Sequence, residues 1–139
     1  MSRMNKVVLV IAVFLFSGIA LGAGEKPGLG EKINPSLGAP EALKLVIVPE
    51  GFKLVWKPSP QESEKVTGYQ IVRAGFASGP FEIVGTVKKG ILEFLDTTAS
   101  PENIHYYKVR AVADGEFSPF SNTVAGEIPG IVLRDERDR

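Results

Sequence analysis

The side chains that could do chemistry are few and scattered in this sequence of 139 residues. It contains one histidine, His105, and no cysteine, so His-pair metal sites, thiol catalysis and disulfides are excluded. No serine stands in a Gly-x-Ser-x-Gly setting, and Gly75 and Gly79 lack the following helix of a phosphate-binding loop. We therefore predict a chain that is not an enzyme and that has no catalytic residue, metal site or cofactor.

The remaining polar and aromatic candidates lie in expected turns. The carboxylates around Gly115 invite a calcium or glycosidase interpretation, but Asp-Gly is first a turn signal. The paired lysines before Gly90 read as a cationic turn, and Glu62 and Glu64 as solvated charge in a loop. Aromatic residues beside turns either cover an end of the core or form a sugar-binding platform. The candidate binding-loop residues are Phe76, Lys88, Lys89, Asp114, Glu116 and Phe117.

The charge balance gives no reason to expect nucleic acid as a partner. The formal net charge is zero, and without Arg3 and Lys6 of the N-terminal segment 14 basic and 16 acidic residues remain. Proteins that bind nucleic acids usually carry a basic excess. The adhesive tripeptide Arg-Gly-Asp is also absent, since the turn reads Ala113-Asp114-Gly115-Glu116.

The stretch from Ile104 to Val112 is the clearest element, because its residue types alternate with the period of two that a β-strand has. One face is predicted to enter a core and carries His105, Tyr107, Val109 and Ala111. The other is predicted to face water and carries Tyr106, Lys108 and Arg110.

Six further short strands are predicted at spacings near ten residues. They cover residues 42–48, 52–56, 68–73, 81–87, 91–96 and 118–128, separated by Pro- and Gly-rich turns. No amphipathic stretch is long enough for a crossover helix, which excludes a parallel βαβ arrangement. The pattern predicts an all-β fold, a seven-stranded antiparallel sandwich of the immunoglobulin-like type.

Several segments, in order, resemble a fibronectin type III domain. They are Pro40, Leu54-Val55-Trp56, Gly68-Tyr69-Gln70-Ile71, Phe94-Leu95-Asp96-Thr97, Tyr107-Lys108-Val109-Arg110-Ala111-Val112 and Ser118-Pro119-Phe120-Ser121-Asn122-Thr123-Val124. The resemblance covers residues 40–128 and implies a core made of Trp56, Tyr69, Ile71, Tyr107, Val109 and Ala111. It also places His105 where the family usually has a tyrosine that ties the strand to a preceding turn. The ring N–H of His105 is then expected to donate to a backbone carbonyl in that role. The alternative is that this tie is absent and that Tyr106 or Tyr107 takes another partner.

The ends of the chain read differently from the domain. Residues 1–23 combine a basic start, an apolar run and small residues, which predicts a cleaved signal peptide and export by a bacterium. The alternative is an uncleaved membrane anchor. Residues 24–39 read as a flexible linker, and residues 129–139 as a charged, disordered tail.

Taken together, these features predict an exported module of the periplasm, cell envelope or medium that binds another protein or has a structural or adhesive role. The alternative is a module that acts on cell-wall or extracellular polysaccharide. The expected partner is an unidentified protein or a polysaccharide, and the membrane is contacted only if the N-terminal segment is retained.

Overall fold

The computed structural model describes residues 31–129. The predicted signal peptide, residues 24–30 of the predicted linker and the tail from residue 130 onward lie outside the described residues. Nine strands and one short 3₁₀ helix (Pro35–Leu37) form this part of the chain. The strands are β1 (Lys32–Ile33), β2 (Glu41–Val48), β3 (Gly51–Lys57), β4 (Gly68–Ala74), β5 (Glu82–Lys88), β6 (Glu93–Asp96), β7 (Ile104–Ala113), β8 (Glu116–Phe117) and β9 (Val124–Glu127).

The strands form two sheets. One has the order β1-β8-β7-β4-β5, with β9 also paired to β7, and the other has the order β2-β3-β6. All pairs are antiparallel except the two-residue pair of β1 with β8. The predicted all-β sandwich is confirmed, and its seven predicted strands correspond to β2–β7 and β9.

The core contains the large residues of the inner faces. Alternation on β3, β4 and β7 places every second side chain inward. The six residues expected in the core from the resemblance are all at most 4% exposed: Trp56, Tyr69, Ile71, Tyr107, Val109 and Ala111. Phe52, Leu54 and Leu43 pack with them. Aromatic edges add to this packing, with the rings of Trp56 and Tyr69 5.7 Å apart.

Residues 32–39 of the predicted linker form β1 and the 3₁₀ helix and belong to the compact unit that begins at Lys32. Asn34 caps the 3₁₀ helix, with its side-chain oxygen accepting from the Ser36 N–H at 3.0 Å. The helix places Leu37 at 1% exposure in the core, and the Leu37 carbonyl accepts from the Ser63 N–H at 3.0 Å. The burial of Leu37 and the pairing of β1 with β8 together order a segment whose composition is typical of a linker.

The predicted last strand, residues 118–128, is wrong in its first half. Only Val124–Glu127 is a strand, and residues 118–123 are irregular. Pro119 has no N–H for a sheet ladder. The backbone N–H groups of Ser118 and Ser121 still donate to the Ala111 and Val109 carbonyls of β7. Serine hydroxyls take the place of the carbonyl acceptors: Ser118 Oγ accepts from the Ala111 N–H at 2.8 Å and Ser121 Oγ from the Val109 N–H at 3.0 Å.

Candidate interaction surfaces

A ladder of alternating aromatic rings and cations covers the outer face of the larger sheet. Arg110 lies over the rings of Phe117 and Phe120, with its Cζ 3.8 and 4.8 Å from their centroids. The Lys108 Nζ lies 4.5 Å from the Phe120 centroid and 4.1 Å from that of Phe81. Phe117 comes from β8, Phe120 from the irregular segment between the two serines, and Phe81 is the residue before β5. These five residues are called the ladder below.

The prediction that Arg110 faces water is wrong, because the aromatic rings of the ladder cover its side chain. Arg110 is 3% exposed, and its Nε donates to Gln70 Oε1 at 2.8 Å. The alternation of β7 correctly placed Arg110 on the outer face, but the two phenylalanines cover that face. A guanidinium loses little here because its planar face stacks on the rings while its N–H groups stay hydrogen-bonded.

Lys108 is the more accessible cation of the ladder. It is partly exposed. Burial and the nearby charge of Arg110 both lower the pKa of Lys108 below its ordinary 10.5. Like charges two residues apart on one strand face repel, and the ring of Phe120 is in contact with both of them.

A buried polar cluster around Asp96 was missed in the sequence. Asp96 is 2% exposed and accepts hydrogen bonds from Tyr107 Oη at 2.6 Å, Arg73 Nη1 at 2.8 Å and the Thr98 N–H at 2.8 Å. Burial alone raises the pKa of Asp96, but these hydrogen bonds and the Arg73 charge outweigh burial and lower it below 3.8. Burial and the Asp96 carboxylate raise the pKa of Tyr107. Through Tyr107 and Arg73 the cluster joins the two sheets.

His105 lies next to the turn that precedes its strand. Its side chain is 8% exposed, and its Nε2 is 2.8 Å from the carbonyl oxygen of Ser100 in the preceding turn. The ring also meets Phe52 edge-on, with centroids 6.0 Å apart. The contacts fit the proposed tie-down role, in which the ring N–H donates to a backbone carbonyl.

Two of the candidate binding-loop residues hold parts of the domain together. The Glu116 carboxylate pairs with Lys32 Nζ at 2.9 Å and accepts from Asn34 Nδ2 at 2.9 Å, so it fixes β1 on β8. The hydrogen bond from Asn34, together with Lys32, lowers the pKa of Glu116. Lys89 Nζ lies 3.8 Å from Glu62 Oε1.

The interpretation of Glu62 as a solvated charge is wrong. Its side chain is 15% exposed and accepts a hydrogen bond from Tyr69 Oη. Burial and this contact raise the pKa of the Tyr69 hydroxyl. Glu62 therefore links the loop before β4 to a core tyrosine, and the carboxylate is not available to a ligand.

The other candidates differ in accessibility. Phe76 is 71% exposed in the β4–β5 loop. Lys88 is exposed at the end of β5. Asp114 is exposed in a tight turn with φ of 43°, which agrees with the Asp-Gly turn signal. Phe117 is covered on one face by Arg110. The structure does not bring these residues together into one site.

The outer face of the smaller sheet exposes apolar side chains. Val46, Lys53 and Leu95 form one cross-strand row, and Val46 and Leu95 are 48% and 42% exposed. A shallow groove of about 550 Å³ lies beside this row, and Ile91 and Phe94 contribute to its lining. The pair Lys53–Glu93, at 3.1 Å, crosses the same face.

Two kinds of element would give the described part of the chain a further role: side-chain clusters that could hold a metal ion, and membrane-spanning helices. Within residues 31–129 no group of three or more His, Cys, Asp or Glu side chains is placed to hold a metal ion. No helix in the same range is long and apolar enough to cross a membrane.

The indole N–H of Trp56 is buried without a hydrogen-bond partner among residues 31–129.

Comparison with solved structures places this geometry among known domains. The chain is similar to an Fn3-like protein from Clostridium thermocellum, with 22% identity, a TM-score of 0.57, and 70% of this chain and 99% of that one covered. It is also similar to the sixth fibronectin type III domain of a human fibronectin type III domain containing protein 3, at 18% identity and a TM-score of 0.55, covering 83% and 98% of the two chains. The chain has the fibronectin type III fold. The twitchin kinase region from C. elegans contains a similar part, at 18% identity and a TM-score of 0.62, with 74% of this chain and 18% of that one covered.

One curated sequence is similar to part of this fibronectin type III chain. Over 71 residues the identity is 35% with an amylopullulanase from Thermoanaerobacter thermohydrosulfuricus. The alignment covers 51% of this chain and 5% of the amylopullulanase. No family model matches the sequence.

Proposed function

We propose that this chain is an exported, non-catalytic fibronectin type III module that binds another protein. The observation that carries the proposal is the outer face of the smaller sheet, where Val46 and Leu95 stay exposed on either side of Lys53. Apolar side chains grouped on an open face and bordered by charges are typical of protein contact surfaces. The buried polar groups around Asp96 and Glu62, in contrast, are paired within the domain.

Export belongs to the same proposal and is supported by residues 1–23, with their basic start, apolar run and small residues. Cleavage after Gly22 or Ala23 is expected, with the mature protein in the periplasm, the envelope or the medium. N-terminal sequencing of protein recovered from those fractions tests this. A recovered chain that still begins at Met1 would contradict cleavage and favour the anchored alternative.

The second candidate is a carbohydrate-associated module. It is favoured by the partial similarity to an amylopullulanase. The described aromatic side chains give it less support, because sugar binding uses open ring faces. Cations lie over the rings of Phe81, Phe117 and Phe120, which leaves Phe76 as the strongly exposed ring.

A paired experiment separates the two candidates. A photo-crosslinking residue at position 46 is expected to capture one protein in the producing organism, and Leu95→Glu is expected to abolish that capture by placing a charge in the contact. The same crosslinker at Glu64, in the exposed loop before β4, is the control and should capture nothing. Retention of the full chain on a polysaccharide such as starch or peptidoglycan, without any capture at position 46, would favour the carbohydrate candidate.

A further inference from the structure

The outer face of the larger sheet carries several positively charged side chains, although the chain as a whole is neutral. Formal net charge is zero over the whole sequence. The register of β7, β4 and β5 places three cross-strand rows on this face: Lys108–Val72–Ile83, Arg110–Gln70–Thr86 and Val112–Gly68–Lys88. These rows contain three cations and no carboxylate. We call this surface, made of the three rows and the ladder, the cationic face.

The carboxylates nearest to Lys88 and Lys108 in the described chain do not pair with either lysine. Glu82 lies opposite Arg73 in the strand register, and the Arg73 side chain donates to Asp96 on the inner side of the sheet. Glu127 on β9 stands opposite Ile104, four residues along β7 from Lys108. Within residues 31–129, neither Lys88 nor Lys108 forms an ion pair with a carboxylate.

Lys108 is held in position for a contact that the described chain does not provide. Phe81 and Phe120 on either side hold the ammonium group, so less side-chain freedom is lost when it binds an anion. The ammonium is partly desolvated and close to a second cation, and an incoming carboxylate would relieve both costs. A freely solvated surface lysine would gain much less from the same contact.

The spacing of the cations indicates the shape of the partner. Lys88 and Lys108 are two strands and two rows apart, which corresponds to about 16 Å between their Cα atoms at ordinary strand spacing and rise. That distance is the length of roughly five extended residues. An extended acidic peptide segment therefore reaches both lysines, while the exposed edge of β5 leaves room for its backbone.

We propose that the cationic face binds an extended, carboxylate-rich segment of a partner protein through Lys108 and Lys88. An acidic polysaccharide would supply the same charge, but the ring faces on which sugars stack are covered by Lys108 and Arg110. The surface is separate from the outer face of the smaller sheet, so either one can fail without the other.

The test uses the full chain and a fluorescent peptide of about ten glutamates, a length that spans both lysines. Binding is expected in low salt, at about 50 mM, and should weaken at least about fivefold at 300 mM, because charge pairs at a surface are screened. Lys108→Met keeps the apolar stem between the rings and is expected to weaken binding about threefold or more, and Lys88→Met similarly. Lys108→Arg should bind as the native chain does.

Lys44→Met is the matched control, since Lys44 is an exposed strand lysine on the smaller sheet, opposite Val55, without an ion pair among the described residues. It should leave peptide binding unchanged. If Lys108→Met does not fold, which its melting curve reports, Lys88→Met carries the test. Equal effects of Lys44→Met and the cationic-face variants, absence of peptide binding, or tighter binding of polygalacturonate than of the peptide would each overturn the proposal. None of these results would affect crosslinking at position 46.

Discussion

At the scale of single residues, Asp96 is the side chain on which most buried polar contacts converge. It joins β6 to β7 through Tyr107 and to β4 through Arg73. A buried carboxylate that receives three kinds of donor is stabilising only as long as the whole set is kept.

Replacing Asp96 by Asn should destabilise the fold strongly. Asn keeps the shape but loses the charge, so that Arg73 and the Tyr107 hydroxyl lose their acceptor, and a loss of about 2–4 kcal/mol is expected. Urea denaturation at neutral pH measures it. Asp114→Asn, in the exposed turn, is the control and should change stability by less than about 0.5 kcal/mol. Equal stabilities of the two variants would contradict the role given to the cluster.

The same cluster sets a pH dependence. The pKa of Asp96 is lowered in the folded state, so the unfolded chain takes up its proton first as pH falls. The stabilisation is complete above the unfolded pKa, near 3.8, and is lost as pH falls through the lower folded pKa. The free energy of unfolding should therefore decline below about pH 4.5, where unfolded carboxyls begin to protonate. The decline should be shallower in Asp96→Asn, with Glu116 contributing in the same direction.

His105 offers a second test at this scale. His105→Tyr should leave stability equal or higher, because a hydroxyl can replace the ring N–H toward the turn of Ser100. His105→Ala should cost about 1–3 kcal/mol through the lost hydrogen bond and the lost contact with Phe52. Thermal unfolding of both variants compares them. A partner-binding defect in a fully stable His105→Tyr protein would indicate a functional role instead.

At the scale of elements, the irregular segment 118–123 places Phe120 over the sheet, against Lys108 and Arg110. Two serine hydroxyls follow β7, and Phe120 lies in the irregular backbone between them. Phe117 reaches the same face from β8, where it pairs with Val112. Arg110 and Lys108 are positioned as a result. The ladder is thus a product of an irregular segment packed on a regular strand.

Phe120→Leu should test the ladder separately from apolar burial. Leu keeps most of the apolar volume but removes the ring that contacts both cations, so a loss of about 1–2 kcal/mol is expected. Phe76→Leu changes a ring that is 71% exposed, and should be neutral within about 0.5 kcal/mol. Chemical denaturation of the two variants measures their free energies of unfolding. An unchanged stability of Phe120→Leu would mean that the ring–cation contacts of the ladder add nothing to apolar burial.

At the scale of the whole molecule, the domain begins before Pro40. Leu37 closes the core, and the contacts of Lys32 and Asn34 with Glu116 bind the preceding residues to the larger sheet. The compact unit begins at Lys32.

A fragment of residues 40–129 should therefore be less stable than a fragment of residues 31–129. Removing Leu37 opens the end of the core, and a cost of about 2–5 kcal/mol is expected, comparable to a buried Leu→Ala change. Denaturation of the two fragments measures the difference, and Leu37→Ala in the longer one is expected to reproduce much of it. Equal stabilities of the two fragments would show that residues 31–39 do not stabilise the domain and would favour the linker interpretation.

The sequence by itself determined seven of the nine strands of the described chain, their class and most of the core. The alternation along β7 and the turn residues between strands are local properties, so Tyr107, Val109 and Ala111 could be placed inward, and the family resemblance identified Trp56 and His105. The burial of Arg110 and Asp96 depended on other segments of the chain, such as those of Phe120 and Tyr107, and that of Leu37 on the core cluster that it joins. Only the tertiary structure decided these positions, because side-chain burial is set by what packs against a residue, and no local pattern of a polar residue records which segment will cover it.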